Sequence, residues 1–197
     1  MISVKSIKAL LPGFLMLVFA CKKADNSIPA MQMNDMPLKG GDSWSYAVTN
    51  FPATQTDTAV FQIANAISVF GGTITYYTTT SIKGVVVDSG NINSGTPSVS
   101  YKGDNGVQTF AGSGLFDEWV LTFPISAQSS WSASGGTVKV IAASANIAVG
   151  GNSYKNVYTL LRTVTTPGGM VNDTMLIAPG IGIIKYDGFP LVSYHLQ

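Results

Sequence analysis

Beyond Gly41, apolar and polar residues alternate with a period of two, and the alternating runs are rich in β-branched and aromatic residues, as half-buried strands are. Trp44, Tyr46 and Val48 alternate with Ser43, Ser45, Ala47 and Thr49. Thr58 to Phe70 reads as one long strand, and Thr73 to Ser81 is dense in Thr and Tyr, which suit a pleated surface. Val138, Val140 and Ala142 alternate with Thr137, Lys139 and Ile141, and Ile147, Val149, Tyr154 to Val164 and Met175 to Ala178 continue the pattern. After residue 41 nothing offers a capped, charged repeat of 3.6 residues. Gly-Gly pairs at 40–41, 71–72, 135–136, 150–151 and 168–169 punctuate the runs. Asp88-Ser-Gly, Asp104-Asn-Gly and Asp187-Gly are further turn candidates, because Gly and Asn accept the positive φ of tight hairpins. The pattern predicts one all-β domain over residues 42–197, an antiparallel meander forming a curved sheet, half-barrel or sandwich.

The chain before Gly41 follows different rules. Lys5 and Lys8 precede an uncharged run from Ala9 to Ala20, twelve residues or about 18 Å as a helix, against the roughly 30 Å of a bilayer core. That is the layout of a secretory signal rather than a membrane span. The run ends in Val18-Phe19-Ala20-Cys21, which resembles a bacterial lipoprotein signal. The resemblance implies cleavage after residue 20 and acylation of Cys21, with Phe19 bulkier than the usual residue at its position. The competing readings are an ordinary signal that happens to contain a Cys, or a core Cys, the latter disfavoured beside Lys22-Lys23. Acyl chains on Cys21 exceed the two signals that stable attachment needs. Lys22 stands where an Asp would mark inner-membrane retention, so the resemblance implies the outer membrane. Residues 21–41, with Asp, Asn, Ser, Pro, Gln and three Met, read as a lipidated Cys and flexible tether.

Composition narrows the function more than it defines it. The 197 residues are 46% hydrophobic and only 11% charged, against a usual charged share of about 25%. Without residues 1–20, nine Lys and Arg face ten acidic residues, so nothing suits a nucleic-acid backbone. A single Cys and a single His leave little for a soft-metal site, and no cofactor is implied.

Three segments in the second half resemble a broad group of β-rich secreted bacterial proteins and lipoproteins of uncharacterised role: Leu121-Thr-Phe-Pro124 with Trp131, Val149 to Tyr158, and Ala178-Pro-Gly-Ile-Gly-Ile-Ile-Lys-Tyr186. The resemblance implies a curved sheet or incomplete barrel and supplies no catalytic residues. Independently, Pro179-Gly180 is a turn pair and Gly182 marks a bulge or a close backbone approach.

Catalytic constellations are sparse. His195, the sole imidazole, lacks a Gly-x-Ser-x-Gly elbow elsewhere in the chain. Asp117 and Glu118 are adjacent, so on a strand they face opposite sides and cannot act on one substrate. Asp88, Asp104, Asp173 and Asp187 sit in turn-like contexts, and the fragments near Asp88 and Asp104 lack the downstream Glu of a calcium loop. Asp57-Thr58-Ala and Asp173-Thr174-Met resemble a short O-glycosylation acceptor. Aromatic residues remain: Trp44, Trp119, Trp131, Tyr76, Tyr77, Tyr101, Tyr154, Tyr158, Tyr186 and Tyr194; those facing a groove could stack on sugar or line an apolar cavity, while most of the Trp residues read as core packing. Tyr76, Tyr77 and Trp119 are the ligand candidates, with a groove expected between the Tyr76-Tyr77 strand and the Ala142 to Ala148 strand. The sequence thus points to a non-enzymatic, lipid-anchored envelope protein that binds an apolar molecule, a glycan or a partner protein. The alternatives are an assembly accessory without a ligand and a hydrolase using His195 or Glu118.

Overall fold

The structure, a computed structural model, describes residues 27–49, 56–103, 119–133 and 135–197. Cys21, Asp104, Asp117 and Glu118 lie outside the described residues. Twelve antiparallel strands follow one another: β1 (Ser43–Thr49), β2 (Thr56–Phe70), β3 (Thr73–Ile82), β4 (Val85–Gly95), β5 (Ser98–Gly103), β6 (Val120–Thr122), β7 (Ser130–Ala133), β8 (Gly136–Val149), β9 (Asn152–Thr166), β10 (Gly169–Ala178), β11 (Gly182–Tyr186) and β12 (Phe189–His195). Among the described residues a 3-10 turn, Met33–Asp35, precedes them.

The sheet order is β6-β5-β4-β3-β2-β1-β12-β11-β10-β9-β8-β7. Each strand pairs with its neighbour in sequence except at one seam, between β6 and β7, while the first and last strands pair mid-sheet through Ser43↔His195 and Trp44↔Tyr194. The sheet curls until its edges nearly meet, and the Trp131 indole N–H donates across the seam to the Val120 carbonyl at 2.6 Å. The all-β meander expected from the sequence is therefore a nearly closed barrel. Its edges are strands of three and four residues, too short to offer much of a pairing template.

Alternation decides which face is which. Trp44, Tyr46 and Val48 on β1, Ala59, Phe61 and Ile63 on β2, Leu160 on β9 and Met175 and Ile177 on β10 are all buried on the inner face. Outward positions such as Ser45, Gln62, Thr79, Lys139 and Lys155 are polar. That is the reverse of a transmembrane barrel, whose outer band is apolar. No helix among the described residues is long and apolar enough to cross a membrane.

Turns alternate between the two ends of such a meander. One end carries the β2–β3, β4–β5, β6–β7, β8–β9 and β10–β11 connections together with the start of β1 and the end of β12; the other carries the rest. We call the first the entry end and the second the far end.

Three expectations are corrected here. Residues 27–41 do not act as a free tether: Met31 is 0% exposed and exchanges backbone hydrogen bonds of 2.8 and 2.9 Å with Ile125. Met36 is buried, the Gly180 N–H donates to the Asp35 carbonyl at 2.7 Å, and the Tyr158 hydroxyl donates to the Pro29 carbonyl. The segment touches the β4–β5, β6–β7 and β10–β11 connections, with Thr96 Oγ1 3.8 Å from Met33 Sδ, and so crosses the entry mouth as a lid. Covering the apolar interior is what orders a stretch with no strand period. Asp88-Ser-Gly is no turn but the middle of β4, with Asp88 buried; the hairpin turns five residues earlier, at Lys83-Gly84. Asp173 likewise sits inside β10, directly opposite Arg162 of β9.

The Pro179-Gly180 turn forms as expected, closed by Ile181 N–H to the Ala178 carbonyl at 3.2 Å. Gly182 has φ +91, and a Cβ there would meet Pro37 at 3.5 Å and the Trp44 indole nitrogen at 3.6 Å. The close approach is therefore at Gly182, while the bulge falls two residues on: Gly182 pairs in register with Ala178, and Ile184 is the residue skipped opposite Leu176 and Ile177.

Candidate functional site

Among the described residues, aromatic and aliphatic side chains pack the barrel interior. Trp44 lies 6.0 Å from Phe61, its indole N–H donates 2.7 Å to the Ile181 carbonyl, and the Tyr46 hydroxyl donates 2.8 Å to the Ile183 carbonyl. Both donors reach from β1 past β12 to β11 and the turn before it. The void among Trp44, Tyr46, Phe61, Ile92 and Tyr101 measures about 10 Å³, the space of one water and no more. Burial raises the pKa of Tyr46 and Tyr101 well above the usual tyrosine value, so both hydroxyls stay protonated.

Charge is buried toward the far end. Arg162 Nε and one terminal nitrogen both donate to the same Asp173 oxygen, at 3.0 and 2.7 Å, and the two side chains are only 11% and 15% exposed. The guanidinium carbon stands 5.4 Å over the Trp119 ring, a cation–π distance, and Tyr186 meets the same ring edge-on at 6.4 Å. Asp187, at the β11–β12 turn, accepts from the Thr174 N–H at 2.7 Å. Burial, chiefly, pushes its carboxyl above the ordinary aspartate range, with Asp173 adding to the rise and Thr174 and Arg162 opposing it. Each charge here is answered by a neighbour, so the cluster reads as an internal brace.

Clefts lined by described residues open at the entry end. One, of about 400 Å³, runs along the lid from Met33 to Lys39 and ends at Leu196 and Gln197. Its floor is pinned by Asp42, whose carboxylate accepts from the Lys39 N–H at 2.8 Å and the Gln197 N–H at 2.9 Å. The other, of about 360 Å³, lies between the tip of the β8–β9 hairpin and β12, and is lined by Asn152, Ser153, Tyr154, Ile181, Val192, Ser193 and Tyr194. The hairpin tip leans on β12 so closely that a Cβ on Gly150, φ +57, would stand 2.2 Å from the Leu191 carbonyl oxygen. Tyr154 forms the buried floor and half-exposed Tyr194 the wall. Burial raises the Tyr154 pKa, with the Asn152 side chain lowering it and Tyr194 raising it slightly, so the hydroxyl is a donor at neutral pH.

The residues singled out from the sequence fare unevenly. Trp119 is 0% exposed beneath Arg162 and cannot meet a ligand, so that expectation is overturned. Tyr76 packs against the core from the inner face of β3, and Tyr77 takes the outer face; both are part-exposed. β3 and β8 stand seven places apart in the sheet order, so no groove forms between them as neighbours. His195 is exposed at the end of β12, its ring 3.0 Å from the Gln197 amide. Thr58 lies exposed on β2, and Thr174 is part-buried on β10 against Asp187. Among the described residues no group of three His, Cys, Asp or Glu could hold a metal. What the sequence did not single out is the pairing of Tyr154 with Tyr194. Both belong to its aromatic set, but only the bend of the β8–β9 hairpin onto β12 brings them together.

No known family matches the chain, and no curated protein matches it. Two solved structures resemble it weakly. One, described as a candidate exported protein with a YmcC-like fold from Bacteroides fragilis NCTC 9343, is 10% identical with a TM-score of 0.38, covering 85% of this chain and 100% of its own. The other, described as a candidate lipoprotein from Parabacteroides distasonis ATCC 8503, is 9% identical with a TM-score of 0.37 and the same coverages. At that similarity neither carries fold or function over to this chain.

Proposed function

We propose that the protein is a lipid-anchored, non-enzymatic component of the bacterial envelope, held at the outer membrane through Cys21, that binds carbohydrate in the Tyr154–Tyr194 cleft. The observation that carries the binding reading is where space is found. The pocket among Trp44, Tyr46, Phe61, Ile92 and Tyr101 has room for about 10 Å³, too little for an acyl chain there, whereas the cleft offers about 360 Å³, within the range of small-ligand sites. Its lining combines aromatic faces with amide and hydroxyl groups, Asn152, Ser153 and Ser193, the mixture that suits a sugar's apolar face and its ring of hydroxyls. The anchor rests on Lys5, Lys8, the Ala9–Ala20 run and Cys21. The engagement of Asp173 by Arg162 and of His195 by Gln197 favours binding over catalysis.

The test is calorimetric titration of the full-length acylated protein, in detergent, against a panel of envelope oligosaccharides. Tyr194→Ala should weaken the binding seen at least tenfold, about 1.4 kcal/mol, with an unchanged melting curve. Binding by none of the panel, or binding indifferent to both Tyr194→Ala and Asn152→Ala, overturns the carbohydrate reading. In cells, Cys21→Ala should abolish incorporation of a fatty-acid label; a wild-type protein that takes up no label removes the anchor.

A further inference from the structure

We infer that the β2–β3 hairpin tip is a second membrane contact, seating Val69 and Phe70 in the headgroup layer of the membrane that holds the lipid anchor. At the tip, Phe70 is 87% and Val69 72% exposed, beside the Gly71-Gly72 turn. Among the described residues Phe61 and Phe123 are buried and Phe189 partly so, and a ring as bare as Phe70 needs a partner.

Three observations name a lipid surface as that partner. First, place: the tip belongs to the entry end, with the lid and the start of β1. Second, reach: Cys21 lies six residues before Ser27, the first described residue, a span of at most about 20 Å at 3.3–3.6 Å per residue. β2 alone, at fifteen residues, runs about 45 Å at 3.3 Å per residue, so a tether of that length holds the entry end at the membrane and leaves the far end away from it. Third, charge: between Asp57 and Lys83 the whole hairpin contains no charged residue, and those two form an ion pair of 3.1 Å at its far-end base. The tip can therefore enter the interface without stripping water from an ion. Lys22 and Lys23, beside the acylated Cys, add attraction to anionic headgroups. The far end also exposes apolar side chains, Val85, Val86, Met170 and Val171, which makes it the internal control.

This inference rests on the lipid-anchor reading, and the experiment separates the two. Phe70→Cys and Met170→Cys are made in the full-length protein, where acylation of Cys21 leaves the introduced thiol as the sole free one. Each is labelled with an environment-sensitive fluorophore and reconstituted into vesicles of phosphatidylethanolamine and phosphatidylglycerol, 3:1. Lipids spin-labelled near the headgroup should quench the probe at 70 several-fold more than the probe at 170. Protein that floats with the vesicles but shows equal, weak quenching at both sites overturns the tip contact and leaves the anchor standing. Protein that fails to float overturns the anchor, and the inference with it.

Discussion

Removing the carboxylate of Asp173 should be among the most damaging single changes available in the barrel, and removing its partner as well should undo most of the harm. Arg162 is 11% exposed and places two N–H groups on one oxygen of Asp173, with Trp119 behind the guanidinium. In Asp173→Leu the guanidinium stays buried without its counter-charge, a loss of about 3–5 kcal/mol in comparable pairs. The Trp119 face and the neighbouring Asp187 still offer partial compensation, so we place the loss near the lower figure, about 3 kcal/mol. For a chain of this size each kcal/mol moves the melting point by about 2–4 °C, giving a fall of about 6–12 °C. Arg162→Met with Asp173→Leu replaces the pair by apolar groups of similar volume and should lie within about 1 kcal/mol of wild type. Urea unfolding followed by tryptophan fluorescence, checked for coincidence with circular dichroism, supplies the four corners of the double-mutant cycle. The reasoning fails if Asp173→Leu costs under about 1 kcal/mol, or if the double variant loses the sum of the two singles; either result would mean the guanidinium finds water.

Two further outcomes follow from the same reading. Met31→Ala, at a fully buried position of the lid, should cost about 2–4 kcal/mol and speed amide exchange at Ile125, its backbone partner; a loss within error would show the lid to be dispensable for the core. Asp187→Asn should be more stable relative to wild type at pH 7 than at pH 4, because the folded carboxyl titrates above its ordinary 3.8: the stability this group contributes is present below that value and is lost as pH rises through the folded pKa. Asn keeps an acceptor for the Thr174 N–H and tolerates the φ of +46, so a urea-midpoint difference, variant minus wild type, that falls from pH 4 to pH 7 would contradict the sign.

The strands were readable because a barrel wall is a local pattern. Trp44, Tyr46 and Val48 alternate in the sequence as they do in the core, and β2 runs to Phe70 as the one long strand its residues predict. What escaped was everything decided by distant partners. Asp88 and Asp173 carry the chemistry of turn residues, yet the pairing of β9 with β10 places Arg162 opposite Asp173 and turns a capping residue into half of a buried ion pair. Met31 and Met36 follow no period because a lid that crosses several connections has none to follow. The choice between sandwich and barrel was invisible for the same reason: it depends on β1 meeting β12, some 150 residues along the chain, which no local alternation encodes. Trp119 misled because burial under Arg162 is a property of the interior, while its position beside Asp117 and Glu118 looks like a surface.

The two ends of the barrel are chemically unlike, and that asymmetry constrains how it can work. Among the described residues the interior near Trp44, Tyr46 and Phe61 is packed, and the larger clefts lie on the rim. Asn152 at the β8–β9 tip, Ile181 in the β10–β11 turn and Tyr194 near the end of β12 all belong to the entry end, as do the lid and the Phe70 tip. The far end holds the Arg162–Asp173 brace and the Lys83–Asp57 pair. On the proposed orientation, a sugar reaches Tyr194 from the layer just above the headgroups. An oligosaccharide carried on a lipid is already concentrated in that layer, whereas one free in solution is not. An anchor that confines both partners to one surface raises their effective concentration, so a weak cleft suffices. The ratio of affinity for lipid-linked over free sugar should then collapse when the anchor is removed, even though Tyr154 and Tyr194 are untouched.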